Sequence, residues 1–166
     1  AVNPGNSGGA LVNTKGELIG INTAIASKTG SYSGYSFAVP ANLVKKVTTD
    51  LAEYGSVKRG FMGVSLMDIT TNMLDKFALD NVEGVFVANV AKGGAAQEAG
   101  ILSGDVIVKI EDKEIKSVPQ LQEQIGNYHP GDKVAVTIKR NGTLHTVTVV
   151  LKNLEGETPI LRKQQP

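Results

Sequence analysis

Apolar and polar positions alternate along the first fifty-odd residues with a strand period and then with a helical one. Ala10-Leu11-Val12 is a short apolar run, Asn13-Thr14-Lys15-Gly16 is a turn, and Glu17 to Ile25 is a longer run rich in β-branched residues. This predicts a β-hairpin. Ser27 to Ser33 reads as a loop and Tyr35 to Val39 as a last short strand ending at Pro40. The period then changes. Leu43, Val47 and Leu51 recur four apart with Val44 and Tyr54 beside them, while Lys45, Lys46, Asp50 and Glu53 fall on the other side. That spacing predicts an amphipathic helix with Asn42 as N-cap and Gly55 as its stop.

Ser56-Val57-Lys58-Arg59 is a polar connection to a second patterned segment. Gly60 to Leu66 reads as a strand, Thr71 to Leu79 as a helix through Met73, Leu74 and Phe77, and Val85 to Val90 as a strand. Gly93 to Gly100 is a small-residue stretch suited to one helical turn, and Asp105 to Ile110 is a strand. Ser117 heads a helix with Pro119 in its first turn and Leu121 and Ile125 on one face. Val134 to Lys139 and Leu144 to Val150 flank Asn141-Gly142, a strong hairpin signal. From Leu154 to Pro166 there is no periodicity, which predicts a linker or tail. The whole reads as mainly β with helices, divided into residues 1–57, 58–153 and 154–166.

Composition narrows the chemistry. The 166 residues hold 17 Lys+Arg against 16 Asp+Glu, so no single-sign field favours nucleic acid as a partner. The absence of cysteine excludes disulfides, thiol catalysis and thiolate metal sites. No apolar run reaches the length of a membrane-spanning helix, and no signal peptide is visible.

The chemistry-bearing stretch is Asn3-Pro4-Gly5-Asn6-Ser7-Gly8-Gly9-Ala10. A serine flanked by glycines at two residues on either side sits where the backbone turns sharply. Its hydroxyl can be held forward while the amides of Gly5 and Ser7 aim at a developing oxyanion. The alternative is a Gly/Asn/Pro-rich turn with a solvated serine. Gly5 to Gly9 also satisfies the G-x-S-x-G pattern of the α/β-hydrolase elbow, but that elbow needs a helix straight after the serine. Here a hairpin follows, the arrangement of a chymotrypsin-like β-barrel.

Asn3 to Asn13, Gly16 to Ile25 and Gly34 to Pro40 together resemble the end of the protease domain of the HtrA/Deg serine proteases. The resemblance implies a chymotrypsin-like domain followed by one or two PDZ domains, assembly as homotrimers or larger cages, and action on misfolded proteins in the bacterial cell envelope or periplasm. It implies Ser7 as nucleophile, Gly5 in the oxyanion hole and Asn6 in the oxyanion loop. It also implies that the Thr23-Ala24-Ile25 backbone pairs with substrate while Ile25 and Tyr35 line the pocket for the side chain before the scissile bond. No cofactor or metal is implied. A chymotrypsin-like domain runs to about 200 residues, so residues 1–57 are expected to be its C-terminal part. In that fold His and Asp precede Ser, whereas the first histidine here is His129, in a turn sequence, and His145 alternates on a strand. The chain alone is therefore expected to be inactive.

The second segment, with Ala95 to Ile107 at its centre, is similar to the PDZ domains of the same family. Arg59 to Leu66 aligns with their ligand-gripping segment. Such a domain captures a peptide C-terminus as an added strand, with the carboxylate in a nest of backbone N–H groups. Phe61, Met62 and Gly63 are candidates for the amides, and Val64 and Leu66, opposed by Leu121 and Ile125, for the apolar pocket. The competing reading makes these apolar residues plain core.

Overall fold

The computed structural model describes residues 5–26, 35–77 and 83–158. The chain divides into two compact units, one holding residues up to Val57 and the other starting at Lys58.

The first unit is a three-stranded antiparallel sheet in the order β1-β2-β3, formed by β1 (Ala10–Val12), β2 (Leu18–Ala26) and β3 (Tyr35–Pro40). The turn at residues 13–17 is closed by the Asn13 side chain, whose Oδ1 accepts from the N–H groups of Lys15 and Glu17. This is the local self-bonding that makes asparagine a turn residue. Helix α1 (Ala41–Tyr54) follows β3 directly and ends on a left-handed Gly55. Two expectations fail here. Pro40, not Asn42, occupies the N-cap position, with no side-chain cap, because the strand runs straight into the helix and the proline's fixed φ supplies the junction. Asp50, expected on the solvent side, is fully buried and bonded by Lys46 Nζ at 2.7 Å, so this turn of the helix buries an ion pair.

The second unit is a six-stranded sheet in the order β4-β5-β6-β8-β9, with the short β7 paired to β6. Its strands are β4 (Val64–Asp68), β5 (Val85–Val90), β6 (Val106–Ile110), β7 (Lys113–Glu114), β8 (Lys133–Arg140) and β9 (Thr143–Val150). The helices are α2 (Thr71–Phe77), α3 (Ala95–Glu98) and α4 (Val118–Ile125). Residues 78 and 79, placed in α2 by the apolar pattern, lie outside the described residues.

Alternation on β8 sends Val134, Val136 and Ile138 into one core with Val87, Ile107, Ile110, Leu121, Val149 and Leu151. A smaller cluster of Ile69, Met73, Phe86 and Val106 seats α2. The hairpin between β8 and β9 turns through Asn141 and Gly142, both at positive φ, as its two-residue loop demands. Asp105 is buried and accepts from Arg140 Nε and Nη2, each at 2.7 Å, and from the Leu102 N–H at 2.8 Å. That hydrogen bond to Asp105 raises the Arg140 pKa above its ordinary value.

Three further features depart from the pattern. β4 begins at Val64 rather than Gly60, because Phe61 pairs across to Lys152 instead. β7 was not anticipated. Residues 153–157 form a closed turn, with Asn153 Oδ1 accepting from the Glu157 N–H at 2.7 Å, where an unstructured tail was expected from 154.

Candidate functional site

Among the described residues, three main-chain hydrogen bonds shape the serine loop. Gly9 N–H donates to Asn6 O at 2.9 Å, closing a turn with Ser7 and Gly8 at its centre. Gly8 has φ +82, the sign that such a turn requires at its third residue and that only glycine adopts without strain. A Cβ on Gly9 would stand 2.9 Å from Asn6 O, so glycine is needed there for close approach. Gly8 N–H then donates to Asn22 O, and Asn22 N–H to Gly9 O, which fastens the loop to β2.

Beside it, the β2–β3 register shifts between Asn22 and Ala24, leaving Thr23 out of step with the ladder. Bulges of this kind re-aim backbone groups next to sites. Here the Thr23 carbonyl accepts from Ser7 Oγ at 3.2 Å. Ser7 is exposed, and among the described residues the N–H groups of Gly5 and Ser7 have no acceptor. The loop thus holds an exposed serine whose hydroxyl meets the Thr23 carbonyl, with two main-chain donors that have no acceptor among the described residues. Ala24, Ile25 and Tyr35 take their places in the β2–β3 pairing, as Ala24↔Phe37, Ile25↔Ser36 and Ala26↔Tyr35; their side chains lie outside what is described.

In the second unit, β4 is the edge of its sheet and runs beside α4. Asp68 Oδ1 at the end of β4 accepts from the Val118 N–H at 2.7 Å, which fixes the start of α4 against the edge strand. The carbonyls of Met62 and Gly63 face inward, accepting from Ala96 N–H and Ala91 N–H at 2.8 Å each. Among the described residues the N–H groups of Met62 and Gly63 have no acceptor. Phe61, expected to supply a third amide, does not: its N–H is committed to Lys152 O at 2.7 Å. Gly63 sits at φ +75 with the Gly94 Cα 3.2 Å from where its Cβ would be, so a side chain there is both strained and obstructed.

Val64 and Leu66 are half-buried against the core. Leu121 and Ile125 are 3% and 7% exposed, and so belong largely to the core as well. Tyr128, just past α4, accepts the Gly60 N–H at its carbonyl. Burial, helped by Glu111 and Asp132, raises its phenol pKa.

Pattern reading missed Asn22, Asp68 and Lys152. Asn22 acts through its main chain, and Asp68 bonds a residue fifty positions away, so neither leaves a local signal.

The two units are a trypsin-like segment and a PDZ domain. Residues 60–151 match the PDZ domain family and residues 1–48 match the trypsin family. The chain belongs to the HtrA/Deg family of serine proteases. It is 42% identical over 152 residues to "Periplasmic serine endoprotease DegP" of Salmonella typhimurium, covering 92% of this chain and 32% of that protein. It is 40% identical over 153 residues to "Probable serine protease do-like" of Buchnera aphidicola, again covering 92% of this chain and 32% of the relative. Among solved structures, "HtrA-type protease AlgW with decapeptide" superposes with a TM-score of 0.65 at 37% identity, over 100% of this chain and 48% of that one. The chain spans about a third of the length of the curated relatives it matches.

Proposed function

We propose that this chain is part of a periplasmic serine endopeptidase of the HtrA type that acts on unfolded or misfolded proteins. Residues 1–57 carry the nucleophile, residues 58–153 form a PDZ domain that binds peptide C-termini, and residues 154–166 form a tail. The observation that carries the reading is the loop at Ser7, exposed, with its hydroxyl on the Thr23 carbonyl at the β2 register shift and, among the described residues, no acceptor for the Gly5 and Ser7 N–H groups. In acyl transfer by the intact protein a base outside the described loop would take the Ser7 proton as Oγ bonds to the substrate carbonyl carbon, and pass it to the amine that leaves as the C–N bond breaks. The two N–H groups would receive the charge on the carbonyl oxygen. By the family resemblance, the Thr23 to Ile25 backbone would align the substrate as a strand and Ile25 and Tyr35 would line the pocket for the side chain before the scissile bond, which, carrying no charge, would favour aliphatic residues. The intact protein is proposed to assemble as a homotrimer or larger cage.

A second reading, a peptide-binding module of a pseudoprotease or scaffold, is favoured by one observation. Ser7 Oγ rests on a carbonyl, which cannot take its proton, and both histidines lie in the second unit. There His129 N–H donates to Asp132, and His145 stands opposite Ile138 on β9. Without a base a serine hydroxyl is a weak nucleophile, so the 166-residue chain by itself is expected neither to hydrolyse unfolded casein nor to react with a fluorophosphonate. Casein hydrolysis by the full-length gene product, compared with its Ser7→Ala variant, separates the two readings. Turnover abolished by Ser7→Ala supports the peptidase; turnover that survives the substitution, or none in the intact protein, overturns it.

A further inference from the structure

The amide nest at Met62 and Gly63 is shaped from behind. Both carbonyls are held by the 91–96 loop, through Ala96 N–H to Met62 O and Ala91 N–H to Gly63 O. Across a trans peptide the Gly63 N–H points away from the Met62 carbonyl, and the Met62 N–H points away from the Phe61 carbonyl, which accepts from the Lys152 N–H. A Cβ on Gly63 would stand 3.2 Å from the Gly94 Cα, so only glycine lets this loop approach the nest, and the position of the loop sets the position of the nest.

Lys152 is bonded to both sides of that arrangement. Its main chain exchanges two hydrogen bonds with Phe61, Phe61 N–H to Lys152 O at 2.7 Å and Lys152 N–H to Phe61 O at 3.1 Å. Its ammonium donates to Gly93 O at 2.9 Å and to Glu98 Oε1 at 2.6 Å. The side chain is only 14% exposed, although Glu98 is open to solvent. A lysine lying along the protein with its charge bonded to a loop carbonyl has given up much of its rotamer freedom. A plain surface ion pair would not require that.

We propose that Lys152 is a positioning residue for the peptide-binding nest: its side chain pins the 91–98 loop while its main chain holds Phe61, and together these set the spacing of the Met62 and Gly63 N–H groups that receive a terminal carboxylate. This rests on the PDZ reading of residues 58–153. A role specific to the nest predicts that the side chain matters only for ligands bearing the anion. A purely structural role predicts a loss of stability with no such selectivity.

The probe is a fluorescein-labelled decapeptide ending in valine, titrated against the 166-residue chain as the free acid and as the C-terminal amide. In the wild type the free acid is expected to bind more tightly. Lys152→Met is expected to weaken the free acid about fivefold to tenfold, the scale of one ordinary hydrogen bond, and to leave the amide unchanged. Lys152→Arg, which keeps charge and donors, should restore most of the difference. Amide resonances of Met62 and Gly63 should move in Lys152→Met and return in Lys152→Arg, a readout that holds in the absence of peptide. If Lys152→Met does not fold, Lys152→Gln takes its place, since it is polar but shorter and uncharged and so gives up the pair with Glu98, and the same readouts apply. Equal weakening of acid and amide, or unmoved Met62 and Gly63 resonances, overturns the clamp. Acid and amide binding equally well to the wild type overturns the PDZ reading itself and is distinct from failure of the clamp.

Discussion

Residues 10–55 and residues 60–152 both contain strands and amphipathic helices, yet they bury them differently. In the second unit, alternate residues of β8 and the facing strands close a continuous apolar core. In the first unit, Leu11, Val12, Leu18, Ile19 and Leu51 are exposed, and the buried side chains among the described residues are polar, Asn22 and Asp50. The serine loop is accordingly held by turn and ladder hydrogen bonds, each of small net worth, whereas the peptide nest rests on a packed domain. A binding site built on a core tolerates surface change; a loop built on hydrogen bonds depends on each of its glycines.

The widest expected separation comes from core truncation. Ile107→Ala removes a fully buried side chain and should lower the stability of the second unit by about 2–5 kcal/mol in urea unfolding. Ile19→Ala, at a side chain 49% exposed, should change stability by no more than about 0.5 kcal/mol. Comparable losses at both sites would break the contrast.

A smaller effect probes the polar part of the second unit. Asp105→Ala strands three donors, two from Arg140 and one from Leu102, and should cost about 2–3 kcal/mol, below the range for fully buried pairs because Arg140 is partly open. Buried pairs are weakly screened, so the loss should persist at high salt. Its disappearance with added salt would mark the pair as a surface contact.

The smallest effect is in pH dependence. The folded state holds the Tyr128 phenol above its ordinary value near 10, so it binds that proton more tightly than the unfolded chain does. The stability linked to this group is fully present below the unfolded value and is lost as pH rises through the folded one. Tyr128→Phe should remove that part of the alkaline decline, measured as Tm against pH. An unchanged alkaline limb would show that other groups govern it.

Much of this was legible in the chain itself, for reasons of period. The hairpin at residues 10–26, the Asn141-Gly142 turn and the face carrying Leu121 and Ile125 each follow from local alternation or spacing. What escaped reading was set by partners distant in sequence. Lys152 takes the Phe61 amide and so delays the start of β4, Lys46 draws Asp50 inward, and Pro40 pre-empts Asn42 because the preceding strand ends on it. At the serine the residue types were plain, but the Thr23 bulge that receives the hydroxyl is a property of register, which composition does not reveal.

The central claim is that the core-built unit carries a binding site for a peptide C-terminus, formed by the Met62 and Gly63 N–H groups on the β4 edge. Titration of the chain with a labelled valine-ending peptide, as free acid and as amide, tests it most directly. Loss of the charge-assisted bonds should weaken the amide by about tenfold or more, and Val64→Asp should weaken the free acid by wetting the apolar side of the groove. Equal affinity for the two forms, or full affinity in Val64→Asp, would contradict the account.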